Sequence, residues 1–212
     1  MMLRNDVAEL EDHITNMITF ENIHQNYCVG IVDIVNSTQN IAKLSQDEAC
    51  IYYSVFLNSV GYIIQNNGGK VVKNIGDGIL FYFPKHSDMR SYDIPLDCGT
   101  KIIEALNLIN SIFNKKKIPA IHYRISLDYG PLMIAKYSIS SCRDIFGPTV
   151  NLCAKINHLA TPDQIVIGSD LYQIIKKSNG YKFKQVEKFQ SALKQDYLVY
   201  SVETSLKKSQ TV

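Results

Sequence analysis

The chain has 212 residues, 46% of them hydrophobic and 20% charged, with 22 Lys+Arg against 20 Asp+Glu and a formal net charge of +2. This length buries a full core without disulfides or a structural metal, and the apolar content excludes extended disorder. The balanced charge excludes a surface built to coat nucleic acid, the one like-charge run being Lys115-Lys116-Lys117. Five widely spaced cysteines form no CxxC pair, a pattern that fits a reducing compartment and neither a zinc site nor a disulfide framework. With no run of 18 apolar residues and a polar N-terminus, the sequence is that of a soluble, cytoplasmic protein without a membrane span.

In chain order, Leu3, Val7, Leu10, Ile14 and Met17 are spaced as a heptad stripe and predict a helix over 1–25, packed on its own domain or making a dimer contact. Tyr27–Val35 is a buried-strand run broken by one carboxylate, Asp33, and Asn36-Ser37-Thr38 supplies helix-capping chemistry. A helix containing Tyr52, Val55, Phe56, Ser59 and Ile63 ends at Gly68-Gly69. Residues 70–84 predict a hairpin turning at Gly76-Asp77-Gly78, followed by a helix over 96–114. Next come strands over 122–128 and 132–137 flanking a turn at Tyr129-Gly130-Pro131, and a helix over 149–160. A strand at 165–167, a helix over 169–177 and strands over 181–187 and 197–202 complete the pattern. The order β-α-β-β-α-β, with additions, predicts one α+β domain over 26–204. Its core is ferredoxin-like, a mainly antiparallel sheet with helices on one face, and it carries a polar tail at 205–212.

Asp33 is the residue out of place. A carboxylate among Ile31, Val32, Ile34 and Val35 costs several kcal/mol unless something compensates it. With Asp77 in the neighbouring turn, it forms a pair of hard oxygen ligands suited to Mg2+ or Mn2+. The backbone N–H groups opening a helix at Asn36, Ser37 and Thr38 suit an anion beside that metal. By itself, Asp77 is equally explained as turn chemistry, and Asp33 as a helix cap.

Three segments strengthen the metal reading. Gly30-Ile-Val-Asp33-Ile-Val-Asn-Ser-Thr38 is similar to the first metal motif of the class III nucleotidyl cyclases, and Lys73-Asn-Ile-Gly-Asp77-Gly78 resembles their second. Asp144-Ile-Phe-Gly-Pro-Thr-Val-Asn151-Leu-Cys-Ala-Lys155 resembles their third. The three stand in the family's order and spacing.

The resemblance implies a cyclase catalytic domain. Asp33, Ile34 and Asp77 would hold two divalent cations, Mg2+ or Mn2+. The ribose 3′-oxygen would attack the α-phosphorus in line and release pyrophosphate. It implies that Lys73 and Asp144 read the base. A donor-only lysine and an acceptor-only carboxylate complement the N1 acceptor and N6 amino donor of adenine, and cytosine offers the same pair. Asn151 would orient the ribose. Lys155 stands where the family carries an arginine, keeping the charge but losing the planar fork. Asn36, Ser37, Thr38 and Lys188 would meet phosphates, with Lys194 as the second choice for the late lysine. The product expected is 3′,5′-cyclic AMP from ATP, made by a homodimer whose sites are shared between protomers. The alternatives are a non-catalytic nucleotide-binding regulator or a cyclase making cyclic CMP or cyclic GMP. Tyr52, Tyr53, Phe56, Tyr82 and Phe83 read as core rather than base-stacking groups, and His24, His86, His122 and His158 carry no metal-ligand spacing.

Overall fold

A computed structural model describes residues 17–84, 93–138, 143–190 and 196–205. Eight strands lie among these residues: β1 (Ile18–Ile34), β2 (Lys70–Ile75), β3 (Gly78–Phe83), β4 (Tyr123–Tyr137), β5 (Arg143–Phe146), β6 (Ile165–Gly168), β7 (Tyr181–Phe189) and β8 (Tyr197–Thr204). Five helices accompany them: α1 (Ser37–Ile41), α2 (Gln46–Asn66), α3 (Ile94–Lys115), α4 (Pro148–Asn157) and α5 (Ser169–Ile175). The sheet runs β2-β3-β1-β4-β6-β8-β7, with β5 also paired to β4. Only the β4–β6 pairing is parallel, so the α+β, mainly antiparallel expectation holds.

The apolar run in β1 follows from cover on both of its faces. Cys28, Val32 and Ile34 enter the larger core with Tyr52, Phe56, Val60 and Ile64 of α2 and Ile102, Ile109 and Phe113 of α3. Tyr27, Val29 and Ile31 face the other way, into a smaller cluster with Cys153 of α4. The two long helices therefore share one face, as the α+β pattern predicts, while short α4 covers part of the other. A capping box fixes the start of α2, Ser45 accepting from the Glu48 N–H while Glu48 accepts from the Ser45 N–H. Tyr52 stacks on Phe113 at 5.0 Å between ring centroids and locks α2 against α3. Each such buried side chain is worth about 1.5–3 kcal/mol of transfer energy. Tyr52, Phe56, Tyr82 and Phe83 are core residues, as their sequence context implies.

Two expectations are corrected. Residues 18–25 are strand, not helix: β1 begins at Ile18 and pairs with Tyr137 of β4, and the stripe residues Leu3, Val7, Leu10 and Ile14 lie outside the described residues. The turn at Tyr129-Gly130-Pro131 is also absent, because β4 runs unbroken from Tyr123 to Tyr137 with Gly130 opposite Tyr27 and Pro131 opposite Asn26. Gly130 serves close approach instead. A Cβ there would sit 2.6 Å from Thr149 Oγ1, which donates to the Pro131 carbonyl at 2.9 Å. Pro131 lies between the stretches of β4 that pair with β6 and β5, so its missing N–H breaks no ladder on that side.

Candidate nucleotide site

Asp33 ends the buried run of β1 opposite Arg124 on β4 and opposite Gly78 on β3. Arg124 Nε and Nη2 both donate to Asp33 Oδ2, at 3.0 and 2.8 Å. The two side chains are only 20% and 21% exposed, so this pair compensates the charge that the sequence places in an apolar strand. Asp33 Oδ1 points toward the β2–β3 turn that carries Asp77. A Cβ on Gly78 would lie 3.4 Å from Oδ1 and 2.7 Å from the Val32 carbonyl, so only glycine lets this turn close over Asp33. The oxygen of Asp33 that Arg124 leaves open, the Asp77 carboxylate and the Ile34 carbonyl are hard donors on adjoining strand ends. They fit a Mg2+ or Mn2+ ion that completes its shell with water and phosphate. Among the described residues no three His, Cys, Asp or Glu side chains cluster as a metal site.

Lys73 and Asp144 come together although 71 positions apart, Lys73 Nζ pairing with Asp144 Oδ2. A bulge between Val71 and Lys73 shifts the β2–β3 register and sets Lys73 opposite Leu80. Asp144 is buried in β5, its Oδ1 accepting from the Ile145 N–H at 2.8 Å. Beside this pair lies a cavity of about 350 Å³, lined by Lys73 and Asn151 among Ile31, Leu80, Ile145 and Phe146. An apolar slot with a few fixed polar groups is the usual form of a small-molecule site.

Asn151 and Lys155 both lie on the exposed side of α4, one turn apart. Asn36 adopts the left-handed conformation at φ 55 and leads into α1, where no side chain caps the first turn at Ser37 and Thr38. Lys188 is not brought to this region. It is exposed on β7 at the far edge of the sheet, 3.3 Å from Asp196, the residue before β8, and Lys194 lies outside the described residues.

Arg124, the partner of Asp33, is the residue of this region that sequence reading missed. The available signal was a lone arginine in the apolar strand Tyr123–Leu127, the same anomaly that drew attention to Asp33 and with the opposite sign.

Residues 20–204 match the family described as the adenylate and guanylate cyclase catalytic domain. A cytidylate cyclase of Staphylococcus aureus is 23% identical over an alignment of 176 residues that covers 79% of this chain and 41% of that protein. An adenylate cyclase of Streptomyces coelicolor is 22% identical over 147 residues, 69% of this chain and 33% of that protein. The chain thus spans less than half the length of these curated relatives. The adenylyl cyclase CyaB from P. aeruginosa superposes with a TM-score of 0.78 at 16% identity, covering 90% of this chain and 97% of that one. The catalytic core of a rhodopsin-guanylyl cyclase with converted specificity, in complex with ATPαS, gives 0.72 at 20% identity, covering 88% and 98%. Among the described residues no helix is long and apolar enough to cross a membrane. The chain belongs to the class III adenylate and guanylate cyclase catalytic-domain family.

Proposed function

We propose that the chain converts ATP to 3′,5′-cyclic AMP and pyrophosphate, with CTP as the second candidate substrate. The observation that carries this reading is the Lys73–Asp144 pair beside the cavity that Asn151 also lines. A base entering there meets a donor-only and an acceptor-only group, the complement of a ring acceptor next to an exocyclic amino group. Adenine and cytosine have that edge; guanine and uracil have its reverse. The relatives named adenylate and cytidylate cyclase are consistent with the same division.

In this reading Asp33, Asp77 and the Ile34 carbonyl hold divalent cations, Mg2+ or Mn2+. When bound, these activate the ribose 3′-hydroxyl and neutralise the triphosphate. Asn151 orients the ribose, and Lys155 adds a positive charge at the α-phosphate. Arg124, standing against Asp33, and the uncapped N–H groups at Ser37 and Thr38 offer charge and hydrogen bonds to the outer phosphates. No side-chain nucleophile is needed, because positioning and charge neutralisation supply the rate.

The proposed assembly is a homodimer in which each site draws Asp33 and Asp77 from one protomer and Lys73, Asp144, Asn151 and Lys155 from the other. Phe20 and Phe146 meet edge to face at 6.0 Å and remain 46% and 40% exposed, beside exposed Ile18 and Met133. That apolar patch on β1, β4 and β5 is a surface suited to a second copy.

The decisive experiment presents ATP, CTP, GTP and UTP separately with Mg2+ or Mn2+ and measures pyrophosphate and cyclic product. Cyclic AMP from ATP is the expected result. Cyclic CMP alone moves the assignment to CTP, and no product from any nucleotide overturns catalysis in favour of a binding regulator. Lys73→Glu with Asp144→Cys should weaken ATP use and improve GTP use; unchanged preference removes the pair from base reading. Asp33→Asn protein mixed with Lys73→Ala protein should recover about a quarter of wild-type activity, since half the dimers are mixed and each mixed dimer has one intact site of two.

A further inference from the structure

Asp33 does not hold Arg124 alone. The Nη2 that donates to Asp33 also lies 3.2 Å from His158 Nδ1. A guanidinium only donates, so in this contact Nδ1 is the accepting nitrogen. Arg124 stands on β4, Asp33 ends β1, and His158 caps the C-terminus of α4, the helix of Asn151 and Lys155. One nitrogen therefore ties three elements together, at a helix end whose carbonyl dipoles favour a cation.

The geometry at Asp33 explains what this third contact adds. Both bonds from Arg124 converge on one carboxylate oxygen, Oδ2, rather than spreading over the two oxygens of a fork. A guanidinium held on a single oxygen can pivot about it. His158 supplies a fixed point off that axis and stops the pivot, and neither bond set uses Nη1.

We propose that His158 is a positioning residue of the nucleotide site: it fixes the plane of the Arg124 guanidinium so that Nη1 is presented to phosphate arriving at the Asp33–Asp77 end of the sheet. The proposal rests on the nucleotidyl cyclase reading and deepens it, adding to the phosphate-facing machinery a residue that does not itself touch substrate. His158 is exposed, so replacing it removes a contact without opening the core.

The test measures binding of inorganic pyrophosphate in the presence of Mn2+, by calorimetry, to wild type and to His158→Ala, His158→Gln, Arg124→Ala and the Arg124→Ala/His158→Ala double variant. Losing one hydrogen bond to a charged group should weaken binding about tenfold in His158→Ala. His158→Gln, which keeps an acceptor on a flexible stem, should recover most of it. In the Arg124→Ala background His158→Ala should cost nothing further, because it acts only through that arginine. The KM for metal–nucleotide should rise in His158→Ala while kcat changes little. Wild-type affinity in His158→Ala overturns the proposal, as does an equal loss with and without Arg124 or a failure of His158→Gln to recover any binding. Wild type that binds Mn2+ and pyrophosphate but cyclises no nucleotide overturns the catalytic reading and leaves the His158 assignment standing on the binding data. Wild type that binds no pyrophosphate overturns the His158 assignment and leaves the catalytic reading to the nucleotide panel.

Discussion

Two aspartates occupy neighbouring strands of the same sheet, each inside an apolar run, and the fold treats them in opposite ways. Asp33 lies at the end of β1, partly open, with its charge met by a guanidinium and one oxygen left toward Asp77. Asp128 lies in the middle of β4, opposite Val29, and is completely buried. Its partners are the Tyr197 hydroxyl, which donates to Oδ2, the Tyr129 N–H at 2.9 Å from Oδ1, and the Leu171 N–H. Leu171 sits in the first turn of α5, so Asp128 caps that helix from across the core. Burial pushes the Asp128 carboxyl up to about 7 against these donors, and burial together with the adjacent Asp128 charge drives the Tyr197 phenol well above its usual range. The same side chain in the same kind of strand is thus left partly open beside a cation at a strand end and serves architecture in the interior. What separates the two is whether the partner is a permanent charge near solvent or a set of neutral donors away from it.

The comparison breaks most visibly in activity. Asp33→Asn and Asp77→Asn should each lower turnover by at least about 10²–10³-fold, the scale of losing a principal charge-stabilising group. Their melting temperatures should stay near wild type, since Asn keeps an acceptor for Arg124. A melting temperature that collapses in Asp33→Asn would make Asp33 an architectural residue like Asp128.

Asp128→Ala should do the reverse. It removes the acceptor shared by Tyr197, Tyr129 and Leu171, at a cost of about 1–3 kcal/mol per polar group left unsatisfied. Chemical denaturation should show that loss, while the activity of the fraction still folded stays within a few-fold of wild type.

A pH series sharpens the contrast. Because the folded value of Asp128 lies above the ordinary 3.8, the folded protein retains a proton that the unfolded chain releases. The stabilisation from that proton is fully present below about pH 4 and is lost as pH rises through about 7. Wild type compared with Asp128→Asn should therefore gain relative stability from pH 8 to pH 5, a shift of about 2–4 °C for each kcal/mol in a chain of this size. A difference that does not change with pH would show that Asp128 holds no proton in the fold.

The smallest expected effect is at Lys155. Lys155→Arg, which restores the planar fork, should hold turnover or raise it a few-fold. A collapse would mean that the site is shaped around the lysine.

Sequence made the chemistry legible wherever an anomaly was local. Asp33 in an apolar run and Asp77 in the neighbouring turn could be read within short windows, whereas Lys73 stood out only through the family resemblance. The Lys73–Asp144 meeting was legible only through the family resemblance, since nothing in the spacing reports a pairing across 71 positions. Gly130-Pro131 looked like a turn because the pressure on Gly130 comes from Thr149 of a distant helix. The Asp128–Tyr197 contact, 69 positions apart, left no trace, and a carboxylate beside a supposed turn drew no attention. The heptad period ends at Met17, and extending its helix over 18–25 failed because pairing with β4 makes those residues strand, which periodicity upstream does not register.

The Lys73–Asp144 pair also changes what affinity means at this site. The two groups satisfy one another, so under the proposed base-reading role a base would not add hydrogen bonds to idle partners; it would exchange for bonds already made. The free energy of base binding is then a small difference between two nearly equal sets of interactions. A base that complements both groups about breaks even on polar contacts and gains from filling the apolar slot. A base that complements one of them strands the other without a partner, at about 1–3 kcal/mol for the group left unsatisfied. Recognition built as exchange is weak in absolute affinity and steep in discrimination, which would suit the proposed choice between bases that differ by little more than the order of a donor and an acceptor.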